Sequence, residues 1–200
     1  MSSMDALREL RARTGAGVLD CRNALAEAGG DIERAIEILR ARGLVTAAKR
    51  AGRQAAQGLV DAYIHGNGTL GVLVEVNCET DFVARTEEFR RLVHDLALQI
   101  AATDPKYISR DQIPEEVLER ERQIASAELQ EVMRGKPPEA LERAIAGKLE
   151  KWIQSVVLLE QPFIRDEGRR VADVIAEVIA KTGENIVVRR FCRFRVGEMA

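Results

Sequence analysis

The sequence predicts an α+β protein: a small bundle of three N-terminal helices with a basic linker over residues 1–54, then an α+β core over residues 55–200. Three observations carry this. Apolar residues recur at three- and four-residue spacing as far as Leu39, with glycines between the runs. The period then changes to strict alternation over residues 58–77, around Gly66-Asn67-Gly68. Helical spacing returns at Thr86 and yields to a last alternating run from Asn185 to Val196. A chain of 200 residues suits one or two domains. It can bury roughly 70% of its unfolded surface, so a real core is expected.

Each element has a local reason. Ser2 is placed to cap the first helix, with Asp5 three residues on and Leu7 and Leu10 as its apolar stripe. Gly15-Ala16-Gly17 ends it. A second helix is expected from about Val18 to Ala28, with Leu19, Ala24 and Leu25 inward. Gly29-Gly30 stops that helix and Asp31 caps a third, whose stripe is Ile32, Ala35, Ile36 and Leu39. Gly43 is expected to close it, and Ala47 to Arg53, small and basic, reads as a linker. Val60, Ala62 and Ile64, then Val72, Val74 and Val76, alternate across the glycine turn as a β-hairpin. Thr86 caps the next helix, where Glu87 and Glu88 suit the positive N-terminus. Phe89, Val93, Leu96 and Ile100 form its stripe. An αα-hairpin is expected at about 105–160, with Pro114 opening one arm and Gly135-Lys136-Pro137-Pro138 turning the chain. A further helix spans about Arg169 to Thr182, stopped by Gly183. The final strand sets Ile186, Val188, Arg190, Cys192, Phe194 and Val196 on one face, with Val187, Arg189, Phe191, Arg193 and Arg195 on the other.

Composition excludes several functions. Thirty basic and 32 acidic residues leave a formal charge of −2, against the basic excess of a dedicated nucleic-acid binder. Hydrophobic residues at 46% and charged residues at 31% fit neither a disordered tail nor a membrane protein. No secretory leader opens the chain and no apolar run approaches a membrane span, so a cytoplasmic protein is expected. Cys21, Cys78 and Cys192 are an odd, scattered set, unlike a disulfide scaffold or a cysteine zinc site. No phosphate-binding glycine loop, dinucleotide fingerprint or nucleophilic triad is present. His65 and His94 stand alone, so neither catalysis nor a metal or other cofactor is expected. Arg189 to Arg195 has the Arg/Phe interleaving of an RNA-stacking surface. An amphipathic strand with outward arginines explains the same residues and is preferred.

The sharpest local feature is Glu75-Val76-Asn77-Cys78-Glu79-Thr80-Asp81-Phe82-Val83-Ala84-Arg85, between the hairpin and the capped helix. On the residues alone, Phe82 is expected to dock back as a core anchor; the alternative is an aromatic wedge presented to a partner. Burying a phenylalanine in a partner is worth on the order of 2–3 kcal/mol, enough for a hot spot.

This segment resembles a signature of the bacterial elongation factor Ts family, the exchange factors for the translational GTPase Tu. A second signature runs from Leu10-Arg11-Ala12-Arg13-Thr14-Gly15-Ala16-Gly17 through Val18-Leu19-Asp20-Cys21-Arg22-Asn23-Ala24-Leu25, with Arg22 where the family usually has lysine. Leu159-Glu160-Gln161-Pro162-Phe163 and Arg193-Phe194-Arg195-Val196-Gly197-Glu198 extend the resemblance to nearly the whole chain. It implies a ubiquitin-associated-like N-terminal bundle. It also implies an α+β core with a three-stranded antiparallel sheet, flanking helices and the helical hairpin. It further implies that Thr80, Asp81, Phe82 and Val83 enter the GTPase domain of Tu. There Phe82 would wedge between helices, Asp81 would make polar contacts, and the disturbed magnesium and phosphate site would release GDP. Arg11, Val18 and Leu19 align with the contacts of the N-terminal domain, although Val18 and Leu19 equally suit the bundle core. Longer family members carry two related core subdomains and this chain shows one, which implies a homodimer. The alternative is a ubiquitin-associated-type binding module without exchange activity.

Overall fold

The computed structural model describes residues 3–198, so Ser2, the expected cap of the first helix, lies outside the described residues. The order is three helices, α1 (Ser3–Thr14), α2 (Val18–Glu27) and α3 (Ile32–Arg50), then β1 (Gln57–His65) and β2 (Leu70–Cys78). There follow α4 (Asp81–Ala84), α5 (Glu87–Thr103), α6 (Glu115–Val132) and α7 (Pro138–Val156). The chain closes with β3 (Pro162–Phe163), β4 (Asp166–Arg170), α8 (Val171–Thr182) and β5 (Ile186–Arg195). β1, β2 and β5 make one sheet in that order. It is antiparallel: Val196 N–H bonds Thr69 O at one end, and Asn185 N–H meets the Glu79 carboxylate at the other. The α+β class is as the sequence predicts.

Two compact units share the chain. The first takes the chain up to Tyr63, Leu73–Ala97 and Ala172–Cys192. Its N-terminal helices enclose their own small core of Ala6, Leu10, Cys21, Ala24, Leu25, Ala28, Ala35 and Ile36. Asp31 caps α3 as expected, accepting from Arg34 N–H at 3.0 Å. On α2 the buried stripe is Cys21, Ala24, Leu25 and Ala28, the i, i+3, i+4, i+7 pattern. Leu19 lies off that stripe and is 59% exposed, which corrects its expected inward position.

Gly43 does not end α3. It is buried within the helix, and a Cβ there would sit 3.8 Å from Ala176 O and Ala180 Cβ of α8. The helix runs on to Arg50 because Ala47, Ala48, Lys49 and Arg50 are strong helix formers. Those are the residues whose small, basic character suggests a linker.

In the same unit Val74 and Val76 of β2 are buried, with Phe89, Val93 and Leu96 of α5 and Ile175, Ala176 and Ile179 of α8. Val60 of β1 and Leu73 of β2 remain 65% and 47% exposed. β1 approaches β2 closely at Gly58, whose φ is +148°. A Cβ there would lie 2.1 Å from Val76 O. In β5 the alternation stops after Arg189. Ile186 and Val188 are buried, yet Arg189 and Arg190 are both exposed. Arg190 bonds Glu75 at 2.7 Å. Phe191, Cys192 and Arg193 are all half-buried and Phe194 and Arg195 are both exposed, so the apolar and the arginine faces expected for this strand are not kept apart beyond Val188.

The second unit takes Ile64–Val72, Leu98–Val171 and the chain from Arg193. Its helical hairpin is α6 and α7, joined through residues 133–137. Ile113, Ile153 and Val157 are buried at its base, with Tyr107, Leu149 and Trp152 packed on them. Arg110 ties that base together by pairing with Glu150 and Glu160. Gln99 and Gln161 are both buried, and Gln99 Nε2 donates to Gln161 Oε1 at 3.2 Å. Gln161 Nε2 donates to Ser155 O at 2.7 Å, and Gln99 Oε1 accepts from Ile164 N–H at 2.8 Å. The β3–β4 pair carries no sequence period, and it takes Arg169 and Arg170 from the start of the expected helix. The Arg193 side chain is only 9% exposed and meets Asp104 and Glu198 at 3.5 and 3.0 Å. Phe194 beside it is 72% exposed.

Two glycine substitutions should diverge. Gly58→Ala collides with β2 backbone at an unfavourable φ and should cost upwards of about 2 kcal/mol in urea unfolding. Gly43→Ala meets only ordinary contact distances and should be neutral or stabilise by about 0.5–1 kcal/mol through helix propensity. Equal effects in the two variants would contradict this packing.

Candidate partner-binding site

β2 ends at Cys78, and the next two residues turn the chain into α4, a single helical turn. Thr80 is extended, with φ −126° and ψ 156°, and its hydroxyl accepts from Val83 N–H at 3.4 Å. This is the N-cap geometry that holds a helix start in place. Thr86 repeats the device for α5, accepting from Phe89 N–H at 3.3 Å as expected.

One helical turn separates its side chains by about 100° each, so burying two neighbours presents the others. Val83 and Ala84 are the inward pair, 4% and 5% exposed. Phe82 is therefore turned out and is 76% exposed. This corrects the docked core anchor that the residues alone favour: with Val83 and Ala84 taking the inward side of the turn, Phe82 is left outside. Asp81 also faces out and pairs with Arg85 at 2.6 Å, both side chains being well exposed. Such a pair contributes little to stability. Within Thr80–Val83, then, Asp81 and Phe82 are presented, Thr80 caps, and Val83 anchors.

What underpins the segment lies a hundred residues away in sequence. Glu184 Oε2 accepts from the backbone N–H of Glu79 at 3.1 Å and of Thr80 at 3.0 Å. Its Oε1 accepts from the Thr80 hydroxyl at 2.6 Å. In return the Glu79 carboxylate accepts from Asn185 N–H at 2.7 Å and pairs with Arg53 at 3.3 Å. Asn185 is buried, and its amide donates to Ala51 O and Arg53 O at 3.4 and 2.8 Å. Cys78 Sγ donates to Thr80 O at 3.1 Å. Burial pushes the Cys78 thiol up, with the Glu184 carboxylate adding to it, so the thiol stays protonated as a donor.

Glu184 and Asn185 escape sequence reasoning. Their one visible signal is their place just after Gly183, the helix stop, where a polar pair reads as an ordinary turn.

Arg11, Val18 and Leu19 are all exposed, and they lie in the same compact unit as Thr80–Val83. Val18 and Leu19 open α2, 50% and 59% exposed, away from the bundle core. His94 is exposed, 3.1 Å from Asp61. Among the described residues no group of three or more His, Cys, Asp or Glu is placed to hold a metal ion. No helix among them is long and apolar enough to cross a membrane.

The Asn185 N–H, and after it Arg53, hold the Glu79 carboxyl below the usual carboxylate range. A depressed folded value stabilises the protein above the unfolded value and is lost as pH falls through the folded one. Glu79→Gln should therefore lower the Tm at neutral pH, and the gap should narrow as pH drops below about 4.3. A gap independent of pH over that window would contradict the reading.

A family model described as Elongation factor TS matches residues 36–198. The Elongation factor Ts of Moorella thermoacetica is 60% identical over 192 residues, 96% of this chain and 94% of that protein. That of Caldanaerobacter subterraneus subsp. tengcongensis is 59% identical over 198 residues, covering 99% and 98%. That of Thermotoga neapolitana is 53% identical over 196 residues, 98% of each. With both the exposed segment and nearly its full length matched, the chain belongs to the elongation factor Ts family of translation elongation factors.

Proposed function

We propose that this protein binds elongation factor Tu in the cytoplasm and promotes release of its GDP, with Phe82 as the inserting wedge. The supporting observation is a phenylalanine 76% exposed on a turn whose neighbours Val83 and Ala84 are buried. A large apolar side chain held open in this way offers a partner a contact that burial would make favourable. Asp81 beside it offers a carboxylate for polar contacts at the insertion, and Val83 keeps the turn seated. Arg11, Val18 and Leu19 form a second contact through the N-terminal bundle.

The energetics require both. An exchange factor must bind nucleotide-free Tu more tightly than GDP-bound Tu, and GDP weakens the factor by the same ratio. A 10⁴-fold ratio needs about 5.5 kcal/mol. One phenylalanine supplies on the order of 2–3 kcal/mol. The bundle and core hold Tu through the transition, and the wedge discriminates between its states. No cofactor enters, and no residue of this chain acts as a chemical catalyst.

Two copies associate in this reading through the last strand, where Phe194 and Val196 are 72% and 76% exposed. Phe194→Asp should convert the dimer to monomer in sedimentation equilibrium. A native protein already monomeric at working concentration would contradict the dimer.

Release of a fluorescent GDP analogue from Tu tests the function. The native protein should accelerate it, and Phe82→Ala should lose on the order of 30- to 150-fold while still binding Tu. Fast release by both proteins would keep exchange and remove the wedge. No acceleration by the native protein would leave a binding module.

A further inference from the structure

We infer that Glu184 is the positioning residue of this exchange site: its carboxylate holds the Thr80–Val83 turn in the conformation that presents Phe82. The inference rests on the exchange reading above. Glu184 meets the segment through three hydrogen bonds on its two carboxylate oxygens, from Glu79 N–H, Thr80 N–H and the Thr80 hydroxyl. Hydrogen bonds to a charged acceptor are the strong class. They converge on the two residues immediately before the helical turn.

The Thr80 hydroxyl has one proton, and donating it to Glu184 at 2.6 Å orients the oxygen. A lone pair is then free for Val83 N–H, which it accepts at 3.4 Å. Glu184 thus sets the rotor of the cap, the cap starts the helical turn, and the turn fixes the direction of Phe82.

The lever has a rigid base. Before Glu184, Gly183 N–H bonds Ile179 O at 2.8 Å and ends α8. After it, Asn185 is buried and bonded through both its backbone and its side chain. The acceptor is therefore held at its own backbone and does not follow the segment. A glutamine there has the same shape but presents an N–H₂ group to donors, so the negative charge and both oxygens are required.

The test measures Tu-bound GDP release at increasing exchange-factor concentration. Glu184→Gln should lower the maximal rate about tenfold with little change in the half-saturating concentration, because a disordered wedge weakens the transition more than the encounter. Glu184→Asp, which keeps both oxygens, should restore part of the rate. Thr80→Val, which removes the hydroxyl with little change of shape, should reproduce the Glu184→Gln loss and serves if that variant folds poorly. Ile175→Val within α8, a purely structural change, should lower the Tm and leave the maximal rate unchanged.

In a Phe82→Ala background Glu184→Gln should slow release no further. Equal fold-losses with and without Phe82 would overturn the inference, as would a native rate from Glu184→Gln while Phe82→Ala is slow. No acceleration by the native protein would remove the exchange reading, and this inference with it.

Discussion

The end of β2 and the start of β5 exchange carboxylates, and the presented segment depends on that exchange. Glu79 accepts from the backbone of Asn185, while Glu184 accepts from the backbone of Glu79 and Thr80. Each side chain satisfies amide groups that the sheet no longer pairs. Leaving such donors unsatisfied costs about 1–3 kcal/mol apiece where water is excluded. The crossing therefore does locally what a longer ladder would do, yet releases the chain to turn outward. A β-ladder continued through residues 79–82 would alternate Phe82 with its neighbours across a sheet face. The crossed carboxylates end the ladder and allow one helical turn.

That turn separates buried from presented side chains over a few residues. Val83 and Ala84 commit to the core, and Asp81 and Phe82 face solvent. The exposed phenylalanine is costly to a free protein, since it forgoes burial worth on the order of 2–3 kcal/mol. The buried pair and the Glu184 contacts offset that cost. Under the proposed exchange function, partner contact and stability thus meet in one segment, with an exposed pair directly followed by a buried pair. The N-terminal bundle shows a similar division on α2, with Cys21, Ala24 and Leu25 inward and Val18 and Leu19 outward.

How much of this is legible from sequence follows from where periodicity exists. The hairpin, α5 and the helical hairpin carry clean two- or three-to-four-residue patterns, and the structure has them where those patterns lie. α2 misleads because Leu19 is more apolar than Cys21, although only Cys21 shares a stripe with Ala24 and Ala28. Gly43 misleads because a helix-ending glycine and a glycine packed under another helix look alike without the neighbour. In β5 the sequence keeps alternating apolar and basic residues through Arg195, whereas burial alternates only as far as Arg189. Phe82 is ambiguous for a physical reason: its direction is set by Glu184 and Asn185, about a hundred positions away. Motif resemblance located the segment, but only the fold shows what holds it.

Amide hydrogen exchange of Glu79 and Thr80 in the free protein and in its complex with Tu tests most directly whether the segment is formed in advance. If Glu184 holds it, both amides are protected in the free protein and gain little on binding. Exchange at unstructured-chain rates in the free protein, with protection acquired only in the complex, would show that Tu imposes the turn, and would contradict this account.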